Sequence, residues 1–192
     1  MTVGRDPTQK ESWAMGRSAP FPILDMLRAD GPLVGERDGL MLFGQFVGAW
    51  DLDVRFYDDR GRRTFRAPGK WTFAWVLDGR AIQDVIVYPD LADPTRAAPG
   101  ERRTGTTVRR YNPASGDWTA VWVGATSGDV AVFRARAHDD EIWLEMAEDD
   151  GTLVRWRFTA ITVDAFRWLG ETSADGGATW LLGQEMLATR AS

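Results

Sequence analysis

The sequence predicts an all-β fold: a closed, antiparallel, up-and-down barrel of about ten strands with a short N-terminal helical segment. Three observations carry this expectation. Short segments of period-2 alternation follow one another from Trp50 to Arg190. Clusters of Gly, Asp, Asn, Ser and Pro separate them, residues that bend the backbone easily. None of the connections reads as a crossover helix, and consecutive hairpins hide their edges only by closing on themselves. A chain of 192 residues fits one such domain. Residues 1–35 are read as an N-terminal arm with a short helix, and residues 36–192 as the barrel domain.

Taken in order, residues 1 to about 20 contain no periodic segment and are read as extended. Phe21 to Arg28 forms a short helix started after Pro22 and stopped by Gly31-Pro32, its apolar side chains packing outside the barrel or on a partner chain. Glu36 to Val47 carries Leu40, Met41, Leu42, Phe43 and Phe46 and reads as a helical plug, although Gly39 and Gly44 weaken a helix. In Trp50 to Tyr57 the even positions are apolar and the odd ones charged up to Tyr57, which sets the inward face. Trp71 to Leu77 follows, and Asp78-Gly79 marks a two-residue hairpin into Arg80 to Tyr88. The loop Asp90 to Arg103, rich in Pro, Ala and charge, is the one long connection and the expected entrance flap. The remaining strands are expected at Thr104–Tyr111, Asp117–Ala125, Val130–Ala137, Glu141–Met146, Leu153–Thr162, Ala165–Thr172 and Thr179–Thr189.

Composition excludes several function classes. With no cysteine there is no disulfide, thiolate metal site or thiol nucleophile, and a cytoplasmic location is the expectation. A net charge of −5 argues against nucleic acid, which needs a concentrated positive surface. No run approaches the ~18 apolar residues of a membrane span, so no membrane partner is expected. Ten tryptophans, mostly at period-2 positions, both fill a small barrel and line a pocket for a flat apolar ligand.

The motifs that suggest chemistry reduce to turns. Ser173 to Trp180 fits the Asp-box pattern known from sialidases, but one copy outside a propeller is a hairpin device. His138 is the single histidine and sits beside Asp139-Asp140-Glu141. One imidazole without cysteine supplies no zinc set, so no metal is expected. No Gly-x-Ser-x-Gly elbow or phosphate-binding glycine loop is present.

Several stretches together resemble the lipocalin-like, or calycin, superfamily, and within it a group of bacterial ten-stranded barrels. They are Phe46-Val47-Gly48-Ala49-Trp50 at the barrel entry, Leu77-Asp78-Gly79-Arg80, Arg110-Tyr111-Asn112-Pro113 before Gly116-Asp117-Trp118, and the closing Arg190. The resemblance covers residues 36 to 190. It implies that Trp50 lies at the closed end with Arg190 across its ring, a cation–π contact contributing about 1 kcal/mol. It also implies binding of a small apolar molecule, although such barrels host enzymes as well. Heme-binding barrels of similar size place a histidine ligand near the C-terminus; the last strand here has none, and no cofactor is expected.

The expected function is therefore binding of an aromatic or polyketide-like molecule inside the barrel. Phe56, Phe73, Trp75 and Tyr111 are the expected lining from the first half of the chain, and Trp122, Trp156, Phe158, Trp168 and Gln184 from the second. A cyclase or isomerase using the same cavity is the alternative, with Asp84 or Glu171 as base and Arg80 or Arg109 as anion holder. Asp84 shares its parity with Ile82 and Ile86, so that face is not purely polar. A third expectation is an interaction module that forms a homodimer through the N-terminal segment.

Overall fold

The computed structural model describes residues 22–90 and 102–192, and over them ten strands close into one antiparallel barrel. In chain order they are β1 (Gly48–Tyr57), β2 (Arg63–Val76), β3 (Ala81–Tyr88), β4 (Arg103–Asn112), β5 (Asp117–Gly124), β6 (Val130–His138), β7 (Glu141–Ala147), β8 (Leu153–Thr159), β9 (Ala165–Ser173) and β10 (Leu181–Arg190). Each pairs with its sequence neighbours. β1 also pairs with β10, Trp50 lying opposite Arg190 and Phe56 opposite Gln184, and this pairing removes both free edges. The fold is all-β, a closed antiparallel barrel of ten strands. Among the described residues no helix is long and apolar enough to cross a membrane.

Most strand limits fall within one or two residues of those expected; β8 ends at Thr159 rather than Thr162, and the larger differences lie in β2 and the turn after it. β2 starts at Arg63 rather than Trp71, although Pro68 interrupts its pattern. At Pro68 the strand is paired with β1 alone, because its ladder with β3 begins at Lys70; a residue lacking an amide proton is tolerated beside such an edge. The hairpin after β2 occupies Leu77 to Arg80 rather than Asp78-Gly79 alone, with Leu77, Asp78 and Gly79 in left-handed conformation. This wider turn docks the preceding segment. The Leu77 amide donates to the Leu27 carbonyl, and the Leu33 amide donates to the Gly79 carbonyl.

Among the described residues two α-helices precede the barrel, α1 (Pro22–Leu27) and α2 (Arg37–Gly44), with a 3-10 turn, Val34–Glu36, between them. The apolar side chains of α1 do not pack on the outside of the barrel: Ile23, Leu24 and Met26 are exposed. The residues after it pair through their backbone, Arg28 bridging to Val76 and the Ala29 amide donating to the Trp75 carbonyl at 3.1 Å. α2 is the expected plug. Leu40 and Phe43 are fully buried, and Phe46 follows in the turn leading to β1. The two glycines that weaken this helix serve close approach. Gly39 lies against the Tyr111 ring, and a Cβ on Gly44 would stand 2.6 Å from the Trp75 ring, so side chains there would push the plug out.

Around the plug the closed half of the barrel is solid aromatic packing. The Phe46 ring centroid lies 4.9 Å from those of Phe158 and Phe166 and 5.8 Å from Phe73. The Trp50 indole N–H donates to the Phe46 carbonyl at 2.7 Å. Arg190 stacks 4.2 Å from the Trp50 ring centroid and donates to the carbonyls of Gln45, Val47 and Val163. This guanidinium thus ties the plug linker to the β8–β9 turn.

The Ser173–Trp180 segment is a turn held by its own side chains. Asp175 accepts from the Thr179 hydroxyl at 2.6 Å, the Thr179 amide at 2.9 Å and the Ser173 hydroxyl at 2.8 Å. Trp180 donates its indole N–H to Gly177. The Thr179 hydroxyl, then its amide and Ser173, hold the Asp175 carboxyl down at about 2. A carboxyl depressed on folding supports the turn fully above its ordinary range, and that support disappears as pH falls through about 2. NMR titration of the Asp175 side-chain carbon is expected to show this low midpoint, and Thr179→Val to raise it.

Candidate functional site

Alternation along each strand points one set of side chains into the barrel, and the height of each decides what it meets there. In the half containing α2 the inward residues are packed solid. In the other half a cavity of about 250 Å³ remains, opening at the end where β3 leaves and β4 returns. Trp71, Thr107, Trp168 and Met186 lie deepest in the lining, nearest the plug. Phe56, Ile86, Trp156 and Gln184 stand above them, while Tyr88, Arg103, Trp122, Ser127 and Asp129 surround the mouth. A second hollow of about 320 Å³ shares Ile86, Tyr88, Arg103, Trp122 and Ser127 with it and adds Thr104, Gly105 and Thr126. Residues 91–101, most of the expected entrance flap, lie outside the described residues, as does the arm through residue 21.

The indoles form a connected wall. Trp156 lies 5.7 Å from Trp122 and 5.4 Å from Trp168, centroid to centroid, and Trp168 lies 6.4 Å from Trp71. Outside the cavity, Phe133 backs Trp156 at 4.1 Å. Trp122 is fixed from its polar edge by donating to Asp129 at 2.6 Å, and the Ser127 hydroxyl bonds the same carboxylate. Burial pushes the Asp129 carboxyl up, but donation from Ser127 and Trp122 outweighs it and holds the group below its usual range. Burial raises the Tyr88 hydroxyl, only partly offset by the nearby Arg103, so it stays protonated at neutral pH. Arg103 also lies over the Phe56 ring at 5.4 Å.

Of the residues expected to line the cavity, Phe56, Trp122, Trp156, Trp168 and Gln184 do so. Phe73, Trp75 and Phe158 are instead buried in the plug half, and Tyr111 packs on Trp118 and against Gly39. Their parity is inward as read, but they sit too near α2 to face open space. Conversely, the sequence reading passed over Trp71, Ile86, Tyr88, Thr107 and Met186, and also Arg103 and Asp129. Parity marks several of them: Trp71 shares the face of Phe73 and Trp75, and Ile86 and Tyr88 that of Ile82.

The expected catalytic set is not assembled. Arg80 is exposed in the β2–β3 turn at the closed end. Glu171 faces outward, because Phe166 and Trp168 take the inward positions of β9. It accepts from Arg155 at 3.0 Å and Arg157 at 2.9 Å, while Arg155 stacks on Trp180 and Trp143. Asp84 and Arg109 do lie inside, both about 1% exposed, but they bind each other rather than the cavity. Asp84 also accepts from the Thr107 amide at 3.2 Å. The Arg109 guanidinium lies 5.1 Å from the Phe43 centroid, 5.4 Å from Phe73 and 5.8 Å from Phe158. The pair is part of the floor structure beneath the hollow.

No family model matches the chain, and no curated protein matches its sequence. Solved structures do match in shape. Rv2717c from M. tuberculosis aligns over 80% of this chain and 98% of its own length, with a TM-score of 0.52 and 16% identity. The S-type phycobiliprotein lyase CPES from Guillardia theta aligns over 84% of this chain and 99% of its own, with a TM-score of 0.55 and 12% identity. At these identities the likeness is one of fold, and it fits the lipocalin-like fold.

Proposed function

We propose that this barrel binds a small, largely apolar molecule of aromatic or polyketide-like character in its mouth cavity. The observation that carries the reading is a hollow of about 250 Å³ walled by indoles in a barrel whose other half is packed solid. Ligand pockets commonly enclose roughly 300–1,000 Å³, so this one suits a compact ring system rather than an extended chain. That one neighbour in fold is a phycobiliprotein lyase is consistent with a small molecule held inside a barrel. Container function is favoured over proton transfer by Asp84, since that carboxylate is occupied by Arg109 and Thr107 and does not line the hollow.

Titration with hydrophobic fluorescent probes is expected to quench tryptophan emission, because four indoles touch the cavity. Ile86→Trp places a ring in both hollows and is expected to weaken probe binding about ten-fold or more while unfolding stays cooperative. Equal probe affinity in the filled variant, or no quenching by any probe, overturns the proposal.

A further inference from the structure

The mouth of the hollow carries a cation and a hydroxyl side by side. Tyr88 ends β3 and Arg103 begins β4; they lie directly opposite each other in the ladder, at the inward parity of Ile86 and Thr107, so their side chains are neighbours on the cavity face. Both line both hollows. The Arg103 guanidinium lies 5.4 Å from the Phe56 ring centroid, and the Gln184 amide reaches the Tyr88 hydroxyl from β10. The polar groups around them are engaged. Asp129 accepts from Trp122 and Ser127, and the Thr126 hydroxyl donates to the Arg102 carbonyl at 3.2 Å. Among the described residues Arg103 is the one cation that lines either hollow, and Asp129 the one acid.

Resting on the container reading above, we propose that the ligand is an aryl carboxylate that enters ring first and leaves its carboxylate at the mouth, held by Arg103 and Tyr88. The guanidinium is a donor only, and the Tyr88 hydroxyl, protonated at neutral pH, donates as well. A charged and a neutral donor on adjacent strands match the two oxygens of a carboxylate. The inner half is closed to an anion. Its walls are Trp71, Trp156, Trp168 and Met186, and the deeper Arg109 is already bound to Asp84. A carboxylate there would lose its water with no cation to replace it, whereas at the mouth it keeps part of its hydration. The flat Trp122, Trp156 and Trp168 rings supply the apolar surface for the ring system. A net charge of −5 repels anions at long range, so a preference for the acid reports this site rather than the general field.

Calorimetric titration of the full chain at neutral pH with 2-naphthoate and its neutral isostere 2-acetylnaphthalene tests this. The carboxylate is expected to bind about ten-fold more tightly than the ketone. In Arg103→Gln, a change at an exposed strand end, that advantage is expected to vanish while the ketone's affinity holds. Tyr88→Phe keeps the ring and is expected to remove part of it. A ketone that binds as tightly as the acid, an advantage that survives in Arg103→Gln, or an equal loss of both ligands in that variant overturns the carboxylate assignment and leaves the container standing. Failure of both to bind the wild-type chain overturns the container reading as well.

Discussion

Replacing Asp84 by alanine is expected to cost about 3–5 kcal/mol of stability, because it leaves the Arg109 guanidinium charged inside an apolar barrel with no counter-ion. The loss is not the strength of one ion pair. Asp84 and Arg109 are both about 1% exposed, and the guanidinium is enclosed by the rings of Phe43, Phe73 and Phe158. Those rings offer cation–π attraction but no hydrogen-bond acceptor for its N–H groups. Removing both charges together is therefore expected to be far milder than removing one. Asp84→Leu with Arg109→Met fills similar volume and should recover most of the loss. Urea unfolding of the two single variants and the double variant measures the coupling. A single-variant cost below about 1 kcal/mol is what an exposed pair gives, and would refute the buried arrangement.

Phe46→Ala is expected to lower stability by a similar amount, about 3–5 kcal/mol, through a cavity the surroundings cannot fill. Phe46 belongs to no strand. Its ring nonetheless meets those of Phe43, Trp50, Phe73, Phe158 and Phe166, drawn from the plug and from β1, β2, β8 and β9. Those rings are held by a closed sheet and have little freedom to collapse inward. The contrast is Val132→Ala on the outer face, where Val132 is 57% exposed and the expected change is within about 0.5 kcal/mol. Denaturant unfolding of both variants checks the pair, and comparable small losses would show that the plug is an appendage to the barrel.

The candidate site was partly legible. Asp84 and Arg109 were readable as inward residues, the first because Ile82 and Ile86 flank it at the same parity. That they satisfy each other across β3 and β4 was not readable, since it depends on the register that sets Asp84 opposite Thr107. Glu171 was misplaced for a traceable reason. Counting from Phe166 and Trp168 puts residue 171 on the outer face, and Arg155 and Arg157, alternating with Trp156 and Phe158, are its partners there.

Local alternation and turn chemistry were enough to determine about ten strands, their sequential pairing and the helical plug, because each depends on residues near in sequence or on the need to bury a sheet's edges, whereas the closing contact of Trp50 with Arg190 was implied by the family resemblance alone. The hollow was decided only by the tertiary structure. Strands in a closed barrel tilt and stagger, so residues of one parity on one strand reach different depths. Thus Trp71 and Trp75, four residues apart on one face of β2, meet a cavity and a helix respectively.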